Sequence, residues 1–149
     1  HVIGIPEPKV AILSAVETIN PKIQSTLDAA ALCKMADRGQ IKGGLLDGPL
    51  AFDNAISMEA VRIKGIASDV AGQADILAVP NLESGNMVAK QLEYMAGASG
   101  SGLVLGARVP IALTSRADGP MARVASAVLA LLPAHDQRKR QAENAWKHS

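Results

Sequence analysis

At 149 residues and 48% hydrophobic content, the chain fits about one compact domain with a sizeable core. Fifteen basic residues against fourteen acidic ones leave a net charge of +1, which excludes a global field for nucleic acid or a membrane surface. Phe52, Tyr94 and Trp146 are the only aromatics, too few for a stacking platform under single-stranded nucleic acid, and no apolar stretch approaches the roughly 20 residues that span a bilayer.

The chain begins "HVIGIPEPKV", with neither Met nor a basic segment before an apolar one, which predicts that an amino-terminal portion has been cut away. Residues 9–14, "KVAILS", predict a buried strand after Pro8, and the polar "SAVETINPKIQ", broken by Pro21, predicts a loop. Ser25 with Asp28 three residues later resembles a capping box. Leu27, Ala31, Leu32 and Met35 follow at helical spacing, so a helix is predicted over 25–38 with Gly39 as its left-handed cap. Cys33, the single cysteine, lies in that helix. It excludes an internal disulfide, points to a reducing compartment such as the cytoplasm, and reads as a core filler rather than a nucleophile.

Residues 43–50 predict a second short strand running into a turn at Gly48-Pro49. Ser57 is placed to cap a helix over 58–64, ended by Gly65. "ADILAVP" predicts a third strand over 74–80. "NLESGNMVAKQLEYMAG" then predicts a helix with an apolar face of Val88, Leu92, Met95 and Ala96, ended by Gly97. Residues 102–115 predict one or two strands split around Gly106-Ala107-Arg108. A last helix, predicted over 120–132, presents Met121, Val124, Ala125, Val128, Leu129 and Leu132 on one face. The basic "HDQRKRQAENAWKHS" beyond it, with Lys147 in its last turn, is either the solvated end of a helix or a phosphate-binding tail.

Strands therefore alternate with helices. The strands are apolar runs, so both of their faces are covered, and the pattern predicts an α/β fold: a three-layer α/β/α arrangement with a mostly parallel sheet. Residues 10–13, 45–46 and 76–79 are expected as its buried strands.

In such sheets ligands bind beyond the carboxyl ends of the strands. Three segments lie there. In "LTSRADGP", Pro120 suits the first helical position, and the helix start offers free N–H groups and a positive dipole end. Arg116 adds a fork that fits phosphate oxygens, Ser115 a hydroxyl donor, and Asp118 a helix cap or a proton acceptor. The bland alternative is a well-capped helix beside an exposed arginine. In "NLESGNMVAK", Gly85 allows close backbone approach, and Asn86 and Lys90 stand one helical turn apart. Lys90 either reaches a phosphate or is simply solvated. In "DGPLAFDN", Asp47, Asp53 and Asn54 either do acid/base or metal work or form a turn. His1, His135 and His148 lie near the termini with no cysteine cluster, so no zinc site is expected. Neither a Walker-type phosphate loop nor a G-x-G-x-x-G fingerprint is present, which argues against a dehydrogenase-related nucleotide domain.

"KVAILSAVETINPKIQSTLDAAALCKMADRGQIKGGLLDGPLAFDNAIS", "ADILAVPNLESGNMVAKQLEYMAG" and "ALTSRADGP" together resemble the carboxyl-terminal half of the phosphate acetyl/butyryl transferase family, over residues 9–132. The first block is closer to the butyryltransferase-like branch and to acetyltransferases fused to an enoyl-CoA-hydratase-like segment. The resemblance implies phosphate acetyltransferase chemistry, in which acyl-CoA and phosphate exchange with acyl phosphate and coenzyme A, and no metal or prosthetic group. It implies an isocitrate/isopropylmalate dehydrogenase-like fold of two α/β domains with a cleft between them. Residues 1–105 would be an inserted second domain and 106–149 the return to a first domain whose own half is absent from this chain. It further implies a homodimer, built on the helix over 25–38. By resemblance, Ser115 and Arg116 are the catalytic Ser-Arg pair, and Gly85, Asn86 and Lys90 are substrate-binding residues. The family aspartate that takes the thiol proton stands seven residues after the serine, where this chain has Ala122; the nearest acid is Asp118. A phosphate butyryltransferase of similar mechanism and a non-catalytic α/β dimerisation module are the alternatives.

Overall fold

The computed structural model describes residues 2–147, with the side chains of residue 140 and of 144–147 excepted. His1, His148 and the side chains of Arg140, Trp146 and Lys147 thus lie outside the described residues. The chain divides into two compact units, residues 5–88 and residues 2–4 with 89–147.

The first unit is an α/β fold around a three-stranded parallel sheet. Its elements are β1 (Lys9–Leu13), α1 (Gln24–Asp37), β2 (Leu45–Leu50), α2 (Phe52–Ile56), α3 (Met58–Lys64), β3 (Ile76–Ala78) and the start of α4 (Leu82–Met95). The strand order is β2-β1-β3. Val10 pairs with Leu46 on one side and with Ile76 on the other. β1 is central, so Ala11, Ile12 and Leu13 are buried, whereas the edge residues Leu45 and Ile76 are 39% and 45% exposed. The expectation that all three strands are buried holds for the middle strand and fails at the edges. Ala11, Leu13, Leu50, Ala55, Val61, Val70 and Ala71 form the core, with Ile66, Ala74 and Leu77 against it.

Several local expectations are corrected. The capping box at Ser25 does not form. α1 begins at Gln24 with Ile23 as an N-cap that makes no side-chain bond, Ser25 turns to Ser14, and Asp28 accepts from the Gln24 amide at 2.8 Å. Gly48-Pro49 is not a turn: β2 runs through it, with a cis peptide there. Gly48 has to be glycine, because a Cβ would sit 2.7 Å from the Ile12 carbonyl oxygen. The stretch after it folds as α2. Gly39 (φ 71°) and Gly65 (φ 65°) do take the left-handed positions after α1 and α3, and Ser57 caps α3 through the Ala60 N–H. Cys33 is half-buried, and burial, followed by the Asp47 and Asp37 charges, pushes its thiol up to about 11. At pH 8 the folded chain is expected to react slowly with Ellman's reagent and the urea-unfolded chain quickly; equal rates would contradict the packing of α1 on β2.

The second unit carries the rest of α4, the strands β4 (Gly102–Val104) and β5 (Ile111–Leu113), and α5 (Pro120–Lys147). β4 and β5 pair antiparallel, Leu103 opposite Ala112. Residues 105–110 are too short for a parallel crossover, so this hairpin is a two-stranded sheet of its own and does not extend the parallel one. α5 passes through Pro133 instead of ending at Leu132, since good helix formers flank the proline and it costs one backbone bond. Among the described side chains of α5, Ser126 is the buried one: its hydroxyl donates to the Ala122 carbonyl at 2.8 Å and accepts from the Gly102 N–H at 3.0 Å. The face expected to be covered is open, with Met121, Val124 and Val128 at 80%, 56% and 53% exposure. α4 likewise has no buried residue, and Met95 is 83% exposed.

Candidate functional site

The strand order places a topological switch at β1: the chain leaves β1 towards β2, then returns past it to β3. Ligands in open α/β sheets bind at the carboxyl edge beside such a point. A cavity of about 610 Å³ opens there, lined by Leu13, Ser14 and Ala15 after β1 and by Val79, Pro80 and Asn81 after β3. Its walls are completed by Gln24, Ser25 and Asp28 from α1, Phe52 from α2, and Ser84 and Val88 from α4.

Two 14-residue helices present their amino ends to this cavity. The Ser84 N–H donates to the Asn81 Oδ1 at 2.8 Å and the Gly85 N–H to the Asn81 carbonyl at 3.1 Å, which satisfies part of the first turn of α4. At α1 no side chain caps the first turn. The positive ends of both helix dipoles favour an anion. The Ser14 and Ser25 hydroxyls share a hydrogen bond of 2.8 Å across the floor, and each keeps capacity for a ligand. Asp28 is the one carboxylate on the lining.

Behind the cavity wall, Lys64 Nζ lies 3.1 Å from Asp53 Oδ2 and 3.5 Å from Glu17 Oε2. The hydrogen bond from Lys64 is the main cause that holds the Asp53 carboxyl below its usual range. Glu17 is lowered first by a backbone hydrogen bond and then by Asn54 and Lys64, and Lys64 is itself raised, chiefly by Asp53. Depressed carboxylates stabilise the fold above their ordinary pKa of about 4 and lose that contribution as pH falls through the lowered folded values; a raised lysine contributes below about 10.4 and loses it as pH rises further. The wild type is therefore expected to lose more stability than Lys64→Met on acidification below about pH 4. Parallel acid-unfolding curves for the two proteins would contradict the ion-pair assignment.

The residues singled out in the sequence are placed as follows. Gly85 lies in the first turn of α4, where a Cβ would meet Val79 Cγ2 at 2.9 Å, so the glycine lets the helix close on the end of β3. Asn86 is exposed on α4. Lys90 is paired with Glu93 at 2.7 Å and lies 5.4 Å from the centre of the Tyr94 ring. The Glu93 hydrogen bond raises its pKa, with smaller contributions from Tyr94 and Asp118.

Within the second unit, Ser115, Arg116 and Asp118 form a tight turn before α5. The Ser115 N–H donates to Asp118 Oδ2 at 2.7 Å, the Asp118 N–H to the Ser115 carbonyl at 3.1 Å, and the Ala117 N–H to Ser115 Oγ at 3.3 Å. Asp118 thus closes the turn, and Arg123 Nε donates to its carbonyl at 3.1 Å. Arg116 is exposed and makes no ion pair among the described residues. Its fork projects from a turn whose own polar groups are already engaged. His135 is exposed, and no cluster of metal-ligating side chains occurs among the described residues.

Ser14, Gln24, Phe52, Asn81 and Ser84 also line the cavity, and none of them stands out in the sequence as a candidate ligand contact. The signal available for two of them was an apolar strand run ending on a polar residue, Ser14 and Asn81.

Comparison with known proteins gives these residues a context. The chain is 65% identical over 139 residues to a phosphate acetyltransferase of Rhizobium meliloti, covering 93% of this chain and 44% of that protein. It is 53% identical over 134 residues to a phosphate butyryltransferase of Clostridium acetobutylicum, covering 90% of this chain and 44% of that protein. The crystal structure of a branched-chain phosphotransacylase from Enterococcus faecalis superimposes with a TM-score of 0.79 at 36% identity, over 90% of this chain and 48% of that one. The chain thus spans a little under half the length of these relatives. Residues 1–131 match the pattern of the phosphate acetyl/butaryl transferase family, and the chain belongs to that family.

Proposed function

We propose that this chain supplies one part of a phosphate acyltransferase, which exchanges acyl-CoA and phosphate with acyl phosphate and coenzyme A. The observation that carries the reading is the cavity at the switch point, where two helix amino ends and two serine hydroxyls favour an anion, in a chain 65% identical to a phosphate acetyltransferase. In the direction of acyl phosphate consumption, the coenzyme A thiol loses its proton and its sulfur attacks the acyl carbonyl carbon. The carbon–oxygen bond to phosphate breaks, and phosphate leaves with the electron pair. Arg116 holds the leaving phosphate, Ser115 orients the thiol or the carbonyl oxygen, and Asp118 or water takes the proton. Gly85, Asn86 and Lys90 belong to the substrate-binding surface; Lys90 exchanges its Glu93 partner for substrate.

The same reading gives residues 1–105 to an inserted domain and 106–149 to the return into a first domain, in a three-layer α/β/α fold of the isocitrate/isopropylmalate dehydrogenase kind. It makes the protein a cytoplasmic homodimer that pairs through the outer face of α1, where Met35 is 40% exposed. Light scattering showing only monomer at micromolar concentration contradicts the dimer. Acetyl and butyryl transfer are both open to this chain, since relatives of each name match it closely.

Thiol release from acetyl-CoA and from butyryl-CoA in the presence of phosphate tests the function. A chain of the relatives' full length containing these residues is expected to release thiol, and the 149-residue chain is not. Asp118→Asn separates two roles in that assay. The amide still accepts from the Ser115 N–H, so the turn survives and a purely structural role leaves turnover nearly unchanged. Asp118 acting as general base predicts a loss of about 10²-fold or more. Absence of phosphate-dependent thiol release from the full-length chain with either substrate contradicts the proposal.

A further inference from the structure

The mouth of the cavity lies between two stretches far apart in sequence: Ser14 and Ala15, which follow β1, and Phe52, which opens α2. One polar cluster ties the chain directly behind both. Glu17, two residues beyond Ala15, accepts from Asn54 Nδ2 at 3.0 Å and lies 3.5 Å from Lys64 Nζ. Asp53 and Asn54 directly follow Phe52, and Lys64 at the end of α3 reaches Asp53 at 3.1 Å. Among the described residues, the loop after β1 has other hydrogen bonds to its surroundings only at its ends. The Ser14 N–H donates to the Leu50 carbonyl and the Ser14 hydroxyl bonds to Ser25, while the Asn20 N–H donates to the Thr26 hydroxyl. Among the described residues, Glu17 provides the hydrogen bonds that join the middle of this loop to α2 and α3.

Asn54 is 0% exposed, and its Oδ1 has no hydrogen-bond partner. A buried acceptor left unpaired is costly, and an apolar side chain would fill the same space without that cost. The amide at this position therefore makes sense through the one bond it does form, to Glu17. The Asn54 backbone is equally fixed, since its carbonyl accepts from the Gly72 N–H at 2.7 Å. At Gly72 (φ 80°) a Cβ would come within 3.0 Å of the Met58 backbone, so the platform under Asn54 is closely packed. Lys64 stands outside, about one-third exposed, and neutralises two carboxylates that would otherwise repel each other across the junction.

We propose that Lys64, Glu17, Asp53 and Asn54 form a clamp that sets the width of the cavity mouth between Ser14-Ala15 and Phe52, with Lys64 and Asn54 as positioning residues for the ligand held there. This rests on the reading of the cavity as a substrate site. The clamp touches no ligand; it fixes the two walls that do. Loss of the clamp leaves the sheet and its core intact and lets residues 15–19 move away from α2, so the expected signature is weaker capture with little change in the chemical step.

Two readouts test it. Amide exchange over residues 15–19 of the 149-residue chain reports the loop, and KM against kcat for phosphate in a chain of the relatives' full length reports the site. Lys64→Met and Glu17→Gln are expected to raise exchange about tenfold, and to raise KM several-fold with kcat within about twofold. Lys64→Arg keeps the charge and is expected to restore both. Asn54→Asp removes the donor and adds a charge beside Glu17; should it fail to fold, the variants of the partly exposed Lys64 and Glu17 still decide. Unchanged exchange in both Lys64→Met and Glu17→Gln overturns the clamp, and so does faster exchange with unchanged KM. A wild-type chain that transfers no acyl group defeats the functional reading alone. Exchange then decides the clamp: raised in Lys64→Met and restored in Lys64→Arg supports it, and unchanged overturns it.

Discussion

Arg116→Ala, in a chain of the relatives' full length, is expected to lower acyl transfer by on the order of a hundredfold or more while leaving the fold intact. The structural half of the argument is that Arg116 is exposed on a turn closed by Ser115 and Asp118, so its side chain holds nothing together. The chemical half is that a preorganised donor aimed at charge that develops in the transition state typically accounts for about 10²–10³ in turnover. Arg116→Lys is expected to recover only part of the loss, because an ammonium keeps the charge and lacks the planar fork that meets two phosphate oxygens together. Steady-state kinetics with phosphate and acyl-CoA, alongside unfolding curves, separates the two halves. A loss of activity that tracks a loss of stability would assign Arg116 to the turn rather than to the phosphate.

The second large effect is on stability. Leu50 ends β2, is 2% exposed and packs with Leu13, Ala55 and Val61. Leu50→Ala removes buried methyl groups and leaves a cavity that this core refills poorly, since its other members are mostly Ala and Val; a loss of about 2–5 kcal/mol is expected. Leu45→Ala on the same strand, at a position 39% exposed, is expected to cost less than about 1 kcal/mol. Urea unfolding followed through amide exchange in β1 makes the comparison. Equal losses at both positions would contradict the placement of the core on the inner end of β2.

The contrast between those two leucines also shows what the sequence could reveal. β1 was legible because five apolar or amphipathic residues follow a proline and end on Ser14. α3 was legible to its ends, because Ser57 and Gly65 are chemical stop signals that act locally. Burial was not legible, because an edge strand and a central strand carry the same apolar run and differ only in what lies beside them. Gly48-Pro49 carries a strong local turn signal, yet it lies in β2, where the approach of Ile12 demands a residue without a side chain. The antiparallel hairpin of β4 and β5 was hidden for a related reason: strand pattern gives no direction, and only the six-residue link excludes a parallel crossover.

The site was legible in kind more than in detail. Of the segments at strand ends, "VPNLESGN" contributes Asn81 and Ser84 to the cavity. Gly85 allows a close approach, and in the structure the group that approaches it is Val79. Lys90, in the sequence either a phosphate contact or a solvated lysine, pairs with Glu93, a contact that helical spacing of three allows and that the sequence alone does not choose. Asp53 and Asn54 were read as metal or acid/base candidates or turn formers. Lys64 and Glu17, distant in sequence, turn them into one side of an ion-pair junction.

Phosphorus-31 NMR of the full-length chain incubated with acyl-CoA and inorganic phosphate tests the central claim most directly, because it observes the acyl phosphate itself. The predicted result is an acyl phosphate resonance that grows only when both substrates are present, together with an equivalent release of coenzyme A thiol, and that Arg116→Ala abolishes on the same time scale. Thiol release with no acyl phosphate, or an undiminished signal from Arg116→Ala, would contradict it.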